Sequence, residues 1–134
     1  VGASEHQAGL ALDLYVPQFG GWAFTKSAAG RFVDTNCRDY GFIVRYPSYG
    51  EKQTGIPYEP WHLRYVGLPH SQIIMDEYLT LEEYIDLLKP GSFYQYGSYL
   101  ISHQNGRVID APSGWKHVTV SEDNLGGYLF TWEL

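Results

Sequence analysis

The sequence predicts an α+β fold: a small antiparallel sheet with flanking helices, followed by a C-terminal β-hairpin appendage. Three observations predict it. Short period-two runs near residues 9–16, 42–47 and 61–66 read as strands, and a helix-period run over 27–40 separates the first two. After Pro90-Gly91 the helical signals stop and paired strand-like runs take over. At 134 residues the chain has the length of one domain with a small addition, divided here as 1–90 and 91–134.

Each element has a local cause. Leu10, Leu12 and Leu14 alternate with Ala11, Asp13 and Tyr15, which predicts a half-buried strand with the leucines inward and Asp13 on the opposite face. Gly9 before it permits a tight path that folds His6 back towards Asp13. After a loop over 17–25, the helix at 27–40 gathers Phe32, Val33, Cys37 and Tyr40 at helical spacing, with Gly41 as its stop. Strands at 42–47 and 61–66 flank a loop carrying Gly50, Gly55 and Pro57. Pro69 opens a short helix to about residue 77. Thr80 and Glu83 form a capping box for a helix over 81–88, which Pro90-Gly91 ends.

In the appendage, Tyr99–His103 and Arg107–Asp110 flank Asn105-Gly106, the strongest short hairpin signal. His117–Val120 and Tyr128–Trp132 flank a glycine-containing turn and predict a second hairpin. The appendage reads as a structural addition. A lesser reading has Trp115, Tyr128 and Trp132 bind wall glycan or peptide.

Composition narrows the function. The formal charge of -6 leaves no basic footprint for nucleic acid. No apolar run approaches a membrane span, and no signal peptide is visible. Cys37 is the single cysteine, so an internal disulfide is impossible, and its place among apolar helix positions makes it a small core residue. Aromatics reach 16%, which suits strands and also grooves for polar, flexible substrates.

The chemistry concentrates in two segments, Ser4–Asp13 and Glu59–His62. A catalytic zinc site needs three protein ligands, an open fourth position and a base beside the bound water. His6, Asp13 and His62 supply the ligand types, and Glu59 a carboxylate three residues before His62. On a straight strand Glu59 and His62 point to opposite faces, so the chain must bend between them, and Pro60 is the cause at hand. Ser4 and Gln7 flank His6 as candidates for binding substrate or orienting ligands, and Trp61 as a candidate pocket wall. His70, His103 and His117 have no ligand-like partners near them in sequence and read as non-catalytic.

Ser4-Glu5-His6-Gln7-Ala8-Gly9-Leu10-Ala11-Leu12-Asp13 matches the S-x-H-x-x-G-x-A-x-D motif of the LAS zinc peptidases, named for lysostaphin, D-Ala-D-Ala peptidases and sonic hedgehog. Glu59-Pro60-Trp61-His62 matches their E-x-x-H. The stretches 40–47, 59–67 and 79–84 resemble the VanY and VanXY D,D-carboxypeptidases, and the resemblance covers roughly residues 3–88. It implies a LAS/hedgehog-like fold with His6, Asp13 and His62 on zinc and Glu59 as base. The implied substrate is a peptidoglycan stem peptide or precursor ending in D-Ala-D-Ala.

The same resemblance leaves neighbouring readings open: a D,D-dipeptidase or dual VanXY-like enzyme, an L,D-carboxypeptidase, or a zinc-bearing wall-binding module without catalysis. Glu59 argues against the last, which has no need of a base. The resemblance places an N-terminal portion with a substrate-gripping Arg before the first motif, so an absent N-terminal part is expected, its packing face exposed or paired with another chain. Arg31, Arg45 and Arg64 lie outside the matching motif. The expected location is the bacterial cell envelope or its exterior, or the cytoplasm for a VanXY-like enzyme.

Overall fold

The computed structural model describes residues 4–106, 109–115, 117–123 and 126–133. The chain divides into two compact units, one up to Glu83 and one from Tyr84. Among the described residues no helix is long and apolar enough to cross a membrane.

The first unit is built on a three-stranded antiparallel sheet in the order β1-β3-β2. Its strands are β1 (Ala11–Asp13), β2 (Phe42–Val44) and β3 (His62–Tyr65). Register decides what each face carries. Leu63 pairs with Leu12 on one side and Val44 on the other, so these three share a face. On that face Leu63 and Val44 join Cys37 in a buried cluster, with Leu14, Val33, Phe42, Tyr58 and Met75 packed around it. The opposite face carries Asp13 and His62, paired with each other, and Ala11 and Ile43 on either side of Arg64.

The expectation for the leucines is corrected here. Leu10 and Leu12 are 41% and 38% exposed, and only Leu14 reaches the buried cluster. β1 is an edge strand, so alternation puts its leucines on the right face of the sheet without burying them.

The predicted helix splits in two. α1 (Ala28–Asn36) gives way to a 3-10 turn, Cys37–Tyr40, which Gly41 ends at φ 82. Ser27 caps α1 by accepting from the Gly30 amide at 2.8 Å. The buried face is narrower than expected, because Phe32 lies about 100° round α1 from Val33 and Tyr40 falls on the 3-10 turn. Val33 and Cys37 pack inward, while Phe32 and Tyr40 are exposed and meet each other with ring centroids 6.5 Å apart.

The loop between β2 and β3 holds a single turn, α2 (Glu51–Thr54), stopped by Gly55 at φ 71. α3 (His70–Asp76) follows Pro69 as expected. The capping box before α4 (Leu81–Leu87) is present: the Thr80 amide donates to Glu83 at 2.9 Å, and the Glu83 amide to Thr80 Oγ1 at 3.2 Å. Such a cap is worth about 1 kcal/mol.

The second unit carries a four-stranded antiparallel sheet in the order β4-β5-β7-β6. Its strands are β4 (Phe93–Tyr96), β5 (Tyr99–Gln104), β6 (His117–Glu122) and β7 (Tyr128–Glu133). The second expected hairpin forms as β6 and β7. The first does not. β5 turns back through Gly97-Ser98, with Gly97 at φ 55, to pair with β4, and its other edge is taken by β7. Arg107 and Val108 lie outside the described residues, and Ile109 and Asp110 are in no strand. The Gln104 side chain instead brackets Asp110, donating to its carbonyl and accepting from its amide, both at 2.8 Å. One side chain thus does the work assigned to a ladder. Trp132 is 5% exposed and stacks on Phe130 with ring centroids 5.5 Å apart, so it is core and not a glycan platform.

Candidate metal centre

Register brings the two motif segments together. Asp13 and His62 are directly opposed on β1 and β3, so their side chains leave the same face of the sheet. The Asp13 Oδ1 to His62 Nδ1 distance is 3.3 Å. His6 arrives from a 3-10 turn, Glu5–Ala8, which Gly9 closes in the left-handed region at φ 71. That turn returns the ring to Asp13, with His6 Nε2 3.6 Å from Asp13 Oδ1. The two imidazoles meet with centroids 4.6 Å apart.

The bend expected at Pro60 is a turn in which the His62 amide donates to the Glu59 carbonyl at 3.1 Å. It carries Glu59 Oε2 to 3.3 Å from His62 Nδ1. Ser4 Oγ accepts from the His6 amide at 3.4 Å, Gln7 is exposed, and Trp61 is half-buried with its carbonyl taken by the Leu14 amide at 2.9 Å.

His6, Asp13 and His62 each offer a ligand atom, and those atoms lie within 4.8 Å of one another. Tetrahedral donors around zinc stand roughly 3.4 Å apart, given bonds of about 2.0–2.2 Å. The spacings of 3.3 and 3.6 Å about Asp13 therefore suit such an ion without rearrangement of the strands. The free nitrogens also agree. His6 Nδ1 faces the Ala11 carbonyl at 3.2 Å, which leaves Nε2 for a ligand role. His62 Nε2 faces Glu5 Oε1 at 2.8 Å, which leaves Nδ1. The residues present fit a divalent zinc ion.

Around His62 lies a charged network that sequence reasoning missed. Glu5 Oε2 accepts from Arg64 at 3.0 Å and from Arg45 at 3.2 Å, and Arg45 makes a two-pronged contact with Glu82 at 2.6 and 3.1 Å. Burial opposes ionisation of Glu5, but the hydrogen bond with His62 and the two guanidiniums outweigh it and hold the carboxyl below its ordinary value. Tyr46 closes the other side of His62, its ring edge-on at 4.9 Å, and Arg45 lies 4.9 Å over the Tyr46 ring. Burial first, then the Glu5 carboxylate, raises the Tyr46 hydroxyl. Strand alternation was the available signal for Arg64, two residues from His62 on the same face. Nothing in the order of residues tied Glu5 to His62.

The other histidines stand elsewhere. His70 is buried, and desolvation pushes its imidazole down to about 4. In the second unit His103 lies between the Leu88 carbonyl at 2.9 Å and Asp123 Oδ2 at 2.7 Å. His117 is exposed on β6.

Comparison with known proteins settles the family. Residues 1–68 match the family model described as VanY, D-alanyl-D-alanine carboxypeptidase. The chain belongs to the VanY family. A D-alanyl-D-alanine carboxypeptidase from Enterococcus faecium is 37% identical over 142 residues, covering 97% of this chain and 44% of its own length. Among solved structures, the vancomycin-resistance D,D-dipeptidase VanXYg, in complex with a D-Ala-D-Ala phosphinate analogue, superposes with a TM-score of 0.81 at 30% identity. That match covers 98% of this chain and 58% of VanXYg. A VanY D,D-pentapeptidase from a VanB-type resistance cassette, in complex with Zn(II), gives a TM-score of 0.54 at 40% identity over 63% of this chain and 46% of that one. This VanY-family chain therefore spans about half the length of the relatives it matches, and its α+β fold of small antiparallel sheets is theirs.

Proposed function

We propose that this chain carries the catalytic centre of a zinc-dependent D-alanyl-D-alanine carboxypeptidase, which removes the terminal D-Ala from peptidoglycan stem peptides or their precursors. The observation that carries the reading is the convergence of His6, Asp13 and His62 with Glu59 beside them. The names and bound groups of the VanY-family relatives support the metal and the substrate class. The work belongs at the bacterial cell envelope, where stem peptides are exposed.

His6 through Nε2, His62 through Nδ1 and Asp13 through a carboxylate oxygen would hold the ion. When bound, zinc polarises the scissile carbonyl and lowers the pKa of water at the open position. Glu59 is the base. Its carboxylate lies 3.3 Å from a ligating nitrogen, within reach of a water there, and it is 31% exposed, open enough to meet substrate. It takes the proton from the attacking water and returns it to the amine of the departing D-Ala. Ser4 and Gln7, which flank His6 in sequence, and Trp61, beside His62, are the candidate substrate contacts.

The test separates chemistry from metal binding. Glu59→Gln should cut turnover of a D-Ala-D-Ala pentapeptide by roughly 10²–10⁴-fold while zinc stoichiometry stays near one. Product release is read by mass spectrometry and metal by elemental analysis. An empty site in Glu59→Gln would make Glu59 a ligand and reopen the assignment of Asp13.

A further inference from the structure

We infer that Glu5 is a positioning residue for the metal centre: its carboxylate holds His62 by Nε2–H and thereby presents Nδ1 to the ion, while Arg45 and Arg64 hold Glu5 in turn. This rests on the metal reading of His6, Asp13 and His62 proposed above.

The argument starts from the imidazole. A neutral histidine has one N–H and one lone pair, and a ligand role requires the lone pair to face the ion. The two rings here solve that requirement with opposite nitrogens. His6 is 37% exposed and has a neutral acceptor, the Ala11 carbonyl, at 3.2 Å from Nδ1. His62 is 8% exposed and has a carboxylate oxygen at 2.8 Å from Nε2. A carboxylate is the stronger acceptor, so it fixes the tautomer more firmly and makes the opposite nitrogen more basic.

Glu5 would serve this end poorly if it wandered. Its side chain is 16% exposed, and Arg64 and Arg45, 14% and 12% exposed, contact its other oxygen at 3.0 and 3.2 Å. Glu82, near the start of α4, grips Arg45 at 2.6 Å. The chain of contacts therefore runs from Glu82 through Arg45 and Glu5 to His62. Its four members lie far apart in sequence, joined only by the fold. A lone surface ion pair would contribute little, but Glu5, Arg45, Arg64 and His62 are largely withdrawn from water, with only Glu82 at the outer end 41% exposed, so removing Glu5 strands the others. Nothing in the proposed chemistry asks Glu5 to touch substrate.

The experiment reads the tautomer directly. The ¹⁵N-labelled chain is examined by long-range ¹H–¹⁵N correlation of its histidine rings, first metal-free and then with one equivalent of zinc, and zinc affinity is measured against a chromophoric chelator. The metal-free wild type should show His62 protonated at Nε2, and zinc should shift Nδ1. Glu5→Ala should lose that fixed tautomer and bind zinc roughly 10–100-fold more weakly. Glu5→Gln keeps an acceptor oxygen and should recover the tautomer and part of the affinity, a rescue that a merely structural role would not give. A metal-free His62 with Nε2 unprotonated overturns the proposal, as does a Glu5→Ala protein with wild-type zinc affinity and an unchanged His62 spectrum. If Glu5→Ala does not fold, the wild-type tautomer and Glu5→Gln decide. Should zinc bind without shifting His62 while Nε2 stays protonated, the metal reading fails, and the proposal with it, although the Glu5 contact stands.

Discussion

The two sheets use burial for opposite ends. In the first unit the strands are three or four residues long, and one face of the sheet is given to Asp13, His62 and Arg64. Its apolar face buries Leu63 and Val44 with Cys37, a small cluster. In the second unit three of the four strands run six residues, and the two central ones bury Ile101, Phe130 and Trp132. Long paired strands with buried aromatics gain stability from area removed from water. Short strands that carry withdrawn charges depend on every charge having its partner. One donor on that face goes unanswered: Arg64 Nε is buried with no hydrogen-bond partner among the described residues. The difference teaches that the site region is organised for placement, and the C-terminal sheet for cohesion.

The sharpest way to break the comparison is His62→Ala. It removes one of three proposed ligands and leaves Glu5 and Arg64 without the ring between them and the site. Zinc affinity should fall by more than the ~10–100-fold that an outer partner costs, with activity abolished. The second sheet should be untouched, so the near-ultraviolet signal of Trp132 should persist. Loss of that signal together with zinc would merge the two regions into one cooperative unit.

Trp132→Ala tests the opposite side. Truncating a buried tryptophan costs about 3–5 kcal/mol, and the loss should appear in denaturant unfolding of the C-terminal sheet. Zinc affinity of the folded protein should stay within a factor of two or so, about 0.4 kcal/mol. A large drop in affinity would show that placement in the first unit relies on cohesion in the second.

The smallest effect is set by His70. The native fold holds this ring neutral, with its pKa lowered to about 4 from the ordinary 6.5. The unfolded chain takes up the proton first as pH falls, so the stabilising contribution is complete above about 6.5 and is lost as pH drops towards 4. The loss is of the order of 3 kcal/mol or less. Urea unfolding at neutral and acid pH should show it, and His70→Gln should flatten that part of the profile. An equally steep profile in His70→Gln would assign the acid sensitivity to the charged face instead.

Much of the first unit was legible because its signals are local. Thr80 and Glu83 cap α4 through their own backbone, and Gly41 ends its turn by adopting φ 82. The convergence of His6, Asp13 and His62 was legible because motif spacing and strand register agree on the opposed pair Asp13 and His62. What failed were pairings between distant segments. Asn105-Gly106 carries a strong turn signal, yet β5 pairs with β4 and β7, because the edge of a strand goes to whichever partner the whole sheet supplies. The apolar character of Leu12 and Tyr40 did not say that one would lie on an edge strand and the other past a change of helical pitch. Glu5 went unseen for the same reason: its partners, His62, Arg64 and Arg45, come from β3 and the end of β2, and only the fold assembles them.

Gly9, which closes the turn that delivers His6, imposes a condition of handedness and not of size. Its φ is 71, and an added Cβ would meet nothing within 4 Å. An ordinary L-residue with a side chain there is disfavoured by about 1–2 kcal/mol through clashes with its own backbone. A residue of mirror-image configuration would rest in that conformation without strain, with open space for its side chain. The position that folds one imidazole onto the site therefore discriminates by stereochemistry at Cα alone.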